Sequence, residues 1–139
     1  MTTAYFSDLQ QAPATNARLW TGRVLSGIAV VFLAMDATMK VLQVPVAIDG
    51  TQKVGYPAAV VLPLGIVQLV CLAAYLIPRT RVLGAILWTG YLGGAVATHV
   101  RIGDPLFTHI LSPVYVAILL WGGLCLRDAR LRAVVTGSR

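Results

Sequence analysis

Long stretches without a charged residue divide this chain into segments of membrane-span length. The charge-free runs cover residues 54–78, 82–98 and 105–126, which are 25, 17 and 22 residues long. A transmembrane helix needs about 20 mainly apolar residues, because a charge at the bilayer centre costs about 2.5 to 3.5 kcal/mol on insertion scales. These runs are therefore predicted to form the second, third and fourth spans of a helical membrane protein.

The first span has a less regular pattern. Its charge-free run, residues 24–35, holds only 12 residues, which as a helix cover about 18 Å of the roughly 30 Å hydrocarbon core. Extension through Leu42 restores the length and brings Asp36 and Lys40 to the far interface or just below it. The segments are also about twice as long as barrel strands and do not alternate, which excludes a membrane β-barrel. The sequence predicts an all-α fold, a four-helix transmembrane bundle.

The longest connection, residues 43–56, joins the first and second spans on the predicted outer side. The spacing of Val46, Ala47 and Ile48 allows a short outer interfacial helix there. The sequence Gly55-Tyr56-Pro57 predicts a turn with proline at the start of the second helix. We expect a flexible tail over residues 1–19, a membrane domain over 20–128 and a basic tail over 129–139.

Composition and charge support a membrane location and set the orientation. Only 12% of the residues are charged and 58% are hydrophobic, whereas soluble domains carry about 25% charged residues, so a large soluble catalytic domain is excluded. Eight Lys and Arg residues lie on the predicted side of both termini and three on the other side, so both termini are expected to be cytoplasmic. We therefore expect a multi-pass protein of a bacterial-type plasma membrane, with the lipid bilayer as its partner and no nucleic acid.

Small residues and cysteines give two further expectations. Gly90 and Gly94 have the small-xxx-small spacing that predicts a helix-packing seam. The alternative is a cofactor that lies against this glycine face. The two cysteines do not form a C-x-x-C motif, so a dithiol relay lacks its reactive pair. Signatures of phosphate-binding loops, zinc proteases and serine esterases do not occur in the sequence.

Polar residues converge on the outer half of the predicted bundle. Asp36 and Lys40 are four residues apart, on one helix face and in the favourable order. The other candidates predicted at this end are Tyr91, Thr98, His99, Arg101, Asp104 and His109. Ionisable residues inside a membrane are candidates for function because their burial is costly. Two structural alternatives stay open: an ion pair that only stabilises the fold, and Asp104 with Pro105 as N-cap and first residue of the fourth helix.

The sequence resembles the DoxX-like family of small four-helix membrane proteins over roughly residues 23–131. The similarity rests on the stretch 91–128 together with MDATMK (35–40), VGYP (54–57) and LIPRT (76–80). It implies a four-helix bundle whose hallmark polar residues are the Asp36/Lys40 pair and the THxRxGDP segment, residues 98–105. Relatives belong to a membrane thiosulfate:quinone oxidoreductase, and others are linked to redox stress. Gln68 stands where the family favours an acid, which weakens a proton-relay role in the second helix.

The first functional hypothesis is a cavity that binds a quinone or a similar small redox substrate. Asp36, Lys40 and His99 are the catalytic candidates: the Asp36/Lys40 pair passes a proton, and His99 or His109 donates to a carbonyl oxygen. Arg101 holds an anionic substrate, and the further substrate-binding candidates are Asp104, His109 and Tyr91. A protein without its own redox centre needs a redox partner protein or a bound cofactor to supply electrons. As an enzyme it is then a membrane oxidoreductase subunit.

The second hypothesis is a non-catalytic membrane scaffold, or a subunit that binds lipid or a partner protein. In that case the ion pairs fix the register of the helices. A haem ligated by His99 and His109 is a weaker third option. No metal site is predicted, and a homo-oligomer remains an open alternative.

Overall fold

A computed structural model describes residues 15–137, and every regular element in that range is helical. The helices are α1 (Asn16–Val41), α2 (Pro45–Lys53), a 3₁₀ turn (Ala58–Val60), α3 (Val61–Leu76), α4 (Arg81–Arg101), a π-helix (Leu106–Ile110), α5 (Ser112–Arg127) and α6 (Ala129–Thr136). The all-helical fold class is confirmed. Of the expected N-terminal tail, residues 1–14 lie outside the described part, while α1 already begins at Asn16. The expected C-terminal tail carries α6.

The four long helices, α1, α3, α4 and α5, pack in a ring in which α1 and α4 each contact both α3 and α5. Helix α1 packs against its neighbours through one face, because its buried residues recur every three or four positions. These residues are Gly22, Ser26, Ala29, Leu33 and Ala37. The other helices contribute larger side chains to the same core, among them Trp88, Leu120, Leu124, Leu72 and Tyr75.

Close contacts between the long helices depend on glycines other than the predicted pair. A Cβ atom added to Gly123 of α5 would clash with the Ser26 hydroxyl of α1, and one added to Gly84 of α4 would clash with the backbone nitrogen of Tyr75 in α3. A Cβ added to Gly90 or Gly94 meets nothing within 4 Å. The packing seam predicted at Gly90 and Gly94 is therefore wrong, because this face of α4 borders open space.

Three helices are long and apolar enough to cross a bilayer: Asn16–Val41, Ala58–Leu76 and Leu106–Arg127. Helix α4 has 21 residues, but it also carries glycines, threonines and His99 and is not one of these three. Large apolar side chains such as Val31 and Ile118 are exposed on the outside of the ring, where a soluble protein of this size would carry polar residues. The chain is thus a membrane protein whose apolar outer faces suit lipid.

The predicted short helix between the first two spans is confirmed as α2. Helix α1 ends because Gln43 adopts a left-handed conformation (φ 50°), while the Val44 amide donates to the Met39 carbonyl and the Gln43 amide to the Lys40 carbonyl. Pro45 then opens α2. The predicted turn before the second span is also present, since Gly55 has φ 91° and the 3₁₀ turn follows directly.

Candidate functional site

A cavity of about 480 Å³ lies where α1 ends and α3 begins. Its walls come from the end of α1, one face of α2, the connection 54–56 and the second half of α4. Apolar lining is given by Met39, Val46 and Leu64, and the polar lining includes Asp36, Lys40, Tyr91, Thr98 and His99. Gly90 and Gly94 lie along the α4 wall, where the lack of side chains keeps the space open. We call this space the Asp36 cavity.

Asp36 and Lys40 form an ion pair within the cavity lining. The Lys40 side chain is 14% exposed and that of Asp36 is 38% exposed, so the lysine is the more buried partner. Asp36 Oδ2 also accepts a hydrogen bond of 2.6 Å from Gln68 Nε2 of α3. The carboxylate therefore connects α1 to α3 as well as neutralising the lysine.

Gln68 is a site residue that the sequence hypotheses left out. Only 1% of it is exposed, and its Oε1 atom has no hydrogen-bond partner. Its Nε2 atom donates to Asp36 Oδ2, so this buried amide of α3 reaches the carboxylate that lines the cavity. The sequence does single out this residue, because Gln68 is the one amide side chain in the 25-residue charge-free run 54–78. A polar side chain inside a span is costly to bury and is therefore a candidate for function.

His99 lines the Asp36 cavity from the last turn of α4, and Asp104 fixes the orientation of its ring. Its Nδ1 atom is 2.7 Å from Asp104 Oδ2, which leaves the opposite ring nitrogen for other partners. The interpretation of Asp104 as a helix N-cap is wrong, because no side chain caps the π-helix 106–110 that follows. Asp104 instead orients the His99 ring and does not itself line the cavity.

Arg101 is not part of the cavity lining, contrary to the expectation that it would border it. Its Nη2 atom donates to the Val54 carbonyl at 2.8 Å, and its guanidinium carbon lies 6.0 Å from the centre of the Tyr56 ring. The Tyr56 hydroxyl is in turn 3.3 Å from the Thr98 hydroxyl. Arg101 therefore links the end of α4 to the connection between α2 and α3. This connection forms one rim of the Asp36 cavity.

His109 also lies outside the cavity lining, so this part of the expected shared cavity is wrong as well. It is exposed, and its Nδ1 atom is 2.8 Å from the Thr108 hydroxyl. The His99 and His109 rings meet edge to face with centroids 5.9 Å apart, but only His99 faces the Asp36 cavity. Residues 15–137 contain no group of three or more side chains able to hold a metal ion.

Tyr91 lies on the α4 wall of the cavity. It lines the cavity, and its ring meets the fully buried Trp88 indole edge to face at 5.5 Å. The structure thus brings four of the seven predicted site residues to one cavity, namely Asp36, Lys40, Tyr91 and His99. Asp104 supports this group through His99, whereas Arg101 and His109 point elsewhere.

Comparison with protein families gives a match to the family described as DoxX-like over residues 24–123. The chain belongs to the DoxX-like family. This confirms the resemblance seen in the sequence, and the matched range contains every cavity residue named above. Searches of curated proteins and of solved structures found no match. Family membership thus supports the membrane assignment, while the cavity has to be interpreted from its own chemistry.

Proposed function

We propose that the Asp36 cavity binds a quinone or a similar small apolar molecule with a carbonyl headgroup. The observation that carries the proposal is the lining: apolar walls and two glycines beside one cluster of ionisable groups. Ligand pockets typically have such mostly apolar walls with a few convergent polar groups. A volume of about 480 Å³ lies within the usual range for small-molecule sites, about 300 to 1,000 Å³.

Two acid-base pairs have at least one member in the cavity lining, and each can exchange a proton with a bound carbonyl oxygen. The first is Asp36 with Lys40, and the second is His99 with Asp104. Conversion of a quinone to a quinol takes up two protons and two electrons, one proton for each carbonyl oxygen. Lys40 and His99 supply the protons in this proposal, while a redox partner protein or a bound cofactor supplies both electrons.

The proposal also places all four long helices across a bacterial-type plasma membrane. Helix α4 contacts both α3 and α5, and its 21 residues are enough to cross the hydrocarbon core. The eight-to-three distribution of Lys and Arg supports cytoplasmic termini and an Asp36 cavity in the outer half of the bilayer. A quinone dissolved in the bilayer would then reach the cavity from the side.

A non-catalytic scaffold is the second candidate, and two contacts favour it. The Gln68 amide joins α3 to Asp36 of α1, and Arg101 of α4 joins the connection that follows α2. Both contacts fix the relative positions of helices and need no ligand. A direct binding experiment separates the candidates, since a scaffold has no reason to bind quinones at this place.

The test measures binding of a short-chain quinone to the purified protein in lipid nanodiscs. Trp88 is the reporter, because it lies behind the cavity residue Tyr91, and a bound quinone quenches nearby indole fluorescence. The other two tryptophans, Trp20 and Trp121, are replaced by phenylalanine so that Trp88 is the sole source of signal.

Two leucine substitutions on α4 form the matched pair. Gly94→Leu places a side chain into the cavity without a backbone clash. Gly93→Leu adds the same side chain at the neighbouring position, which also has nothing within 4 Å but is not part of the cavity lining. We expect Gly94→Leu to weaken binding at least about tenfold and Gly93→Leu to change it less than about twofold. Equal binding by both variants, or no saturable binding by the wild type, would contradict the proposal.

A further inference from the structure

A second cavity, of about 210 Å³, lies at the opposite end of the ring of helices. Three guanidinium groups from three different helices line it: Arg23 of α1, Arg81 of α4 and Arg127 of α5. On α1, Arg23 precedes Asp36 by 13 residues, which is about 20 Å along a helix. This space, which we call the arginine cavity, is therefore separate from the Asp36 cavity.

Two part-buried hydrogen bonds hold Arg127 in the lining, and they continue into a buried chain. Its Nη2 atom donates to Ser26 Oγ at 2.9 Å, and its Nε atom donates to the Gly123 carbonyl at 3.1 Å. The Ser26 hydroxyl is 3.0 Å from the Tyr75 hydroxyl, which donates to the Leu120 carbonyl at 3.0 Å. A guanidinium group has five N–H donors in a fixed plane, so Arg127 is oriented by two of them and keeps the others for a ligand.

None of the three cavity arginines forms an ion pair with a carboxylate among residues 15–137. The two ion pairs of this range, Asp36 with Lys40 and His99 with Asp104, involve other residues. The guanidinium carbon of Arg23 lies 5.8 Å from the centre of the Trp20 ring, so its partner is an aromatic ring and not a carboxylate. Three like charges around one small space repel each other, and an anion in that space relieves the repulsion.

We propose that the arginine cavity binds a phosphate group. Guanidinium groups match phosphate oxygens in geometry and charge, and several together form a specific phosphate site. The volume of about 210 Å³ is several times that of one water molecule, about 30 Å³ in the liquid. The phosphate belongs either to the headgroup of an anionic phospholipid or to a free phosphate ion, since both offer the same oxygens on the predicted cytoplasmic side.

The test compares two glutamine variants that differ by two positions in the chain. Arg81→Gln removes a charge from the cavity lining, and Arg79→Gln removes an equal charge from an exposed position outside it. Both change the net charge by the same amount, so general attraction to an anionic surface falls equally in both. Native mass spectrometry of the detergent-purified full chain measures bound phosphatidylglycerol, and a thermal-shift titration measures inorganic phosphate.

We expect the wild type and Arg79→Gln to retain phosphatidylglycerol with affinities within about twofold, and Arg81→Gln to bind it at least about tenfold more weakly. Competition by inorganic phosphate at millimolar concentration would identify the free ion as a ligand of the same site, and its failure to compete would identify the lipid headgroup. Equal losses of binding in the two variants would overturn the proposal. It would also be overturned if the wild type bound neither phosphatidylglycerol in native mass spectrometry nor inorganic phosphate in the thermal-shift titration. Arg23→Gln provides a second cavity variant if Arg81→Gln does not fold.

Discussion

The ion pair of Asp36 and Lys40 supports a quantitative prediction about stability. The change is a double-mutant cycle of Asp36→Asn, Lys40→Met and the two together, which isolates the interaction energy of the pair. Lys40 is 14% exposed and Asp36 is 38% exposed in their side chains. The two single variants should therefore differ, because each leaves a partner in a different environment.

The expected magnitudes follow from that difference in burial. Removal of one partner costs about 3 to 5 kcal/mol for a fully buried pair, whereas exposed pairs are worth about 0 to 1 kcal/mol. Asp36→Asn leaves the more buried Lys40 unpaired and should cost about 3 kcal/mol. Lys40→Met leaves Asp36 with its Gln68 hydrogen bond and should cost about 1 kcal/mol. The double variant should recover about 1 to 2 kcal/mol of the summed loss.

Thermal unfolding in detergent measures these values, at about 2 to 4 °C for each kcal/mol in a chain of this size. Asp49 and Lys53 of α2 provide the matched control, because they have the same spacing of four residues but both are exposed. Their cycle should give less than about 0.5 kcal/mol. Additive losses at Asp36 and Lys40, or a greater loss from Lys40→Met than from Asp36→Asn, would refute the reasoning.

Three further predictions concern the rim of the cavity, helix packing and topology. Arg101→Gln should speed amide exchange in the connection between α2 and α3 at least about tenfold, because it removes a charged hydrogen bond worth about 1.5 to 3 kcal/mol. Unchanged exchange would show that the rim holds without it. Gly123→Leu should destabilise the protein by about 3 kcal/mol or more through its clash with α1, whereas Gly122→Leu, with nothing within 4 Å, should cost less than about 0.5 kcal/mol. Equal unfolding temperatures of the two variants would contradict this prediction. In a cysteine-free background, Gly50→Cys should be labelled from outside and Gly137→Cys from the cytoplasm, and the reverse result would invert the predicted topology.

Much of the fold could be predicted because it depends on one-dimensional patterns. The approximate positions of the last three long helices follow from charge-free runs, and the turn at Gly55 follows from local residue chemistry. The Asp36/Lys40 pair was predictable for a similar reason, since spacing within one helix fixes which side chains are neighbours. Helix α6 shows the limit of this approach, because its charged sequence resembles a tail, while Asp128 caps it through the amides of Arg130 and Leu131.

The remaining site residues depend on contacts between helices, which spacing does not determine. Gly90 and Gly94 have the pattern of a packing seam but face a cavity, whereas Gly84 is the glycine at which α4 closely approaches α3. Arg101 was expected to hold a substrate, yet the Val54 carbonyl, 47 positions earlier, takes its hydrogen bond. A backbone carbonyl without a partner leaves no trace in a sequence, so this contact could not be foreseen.

Photolabelling with an azido-substituted quinone tests the central claim most directly, because it reports where a quinone sits. The protein is illuminated in lipid nanodiscs and the labelled residues are identified by peptide mass spectrometry. We predict saturable labelling of the cavity segments that contain Met39 and Tyr91, and its loss in Gly94→Leu but not in Gly93→Leu. Labelling spread over lipid-facing residues such as Ile118, unaffected by Gly94→Leu, would contradict the account.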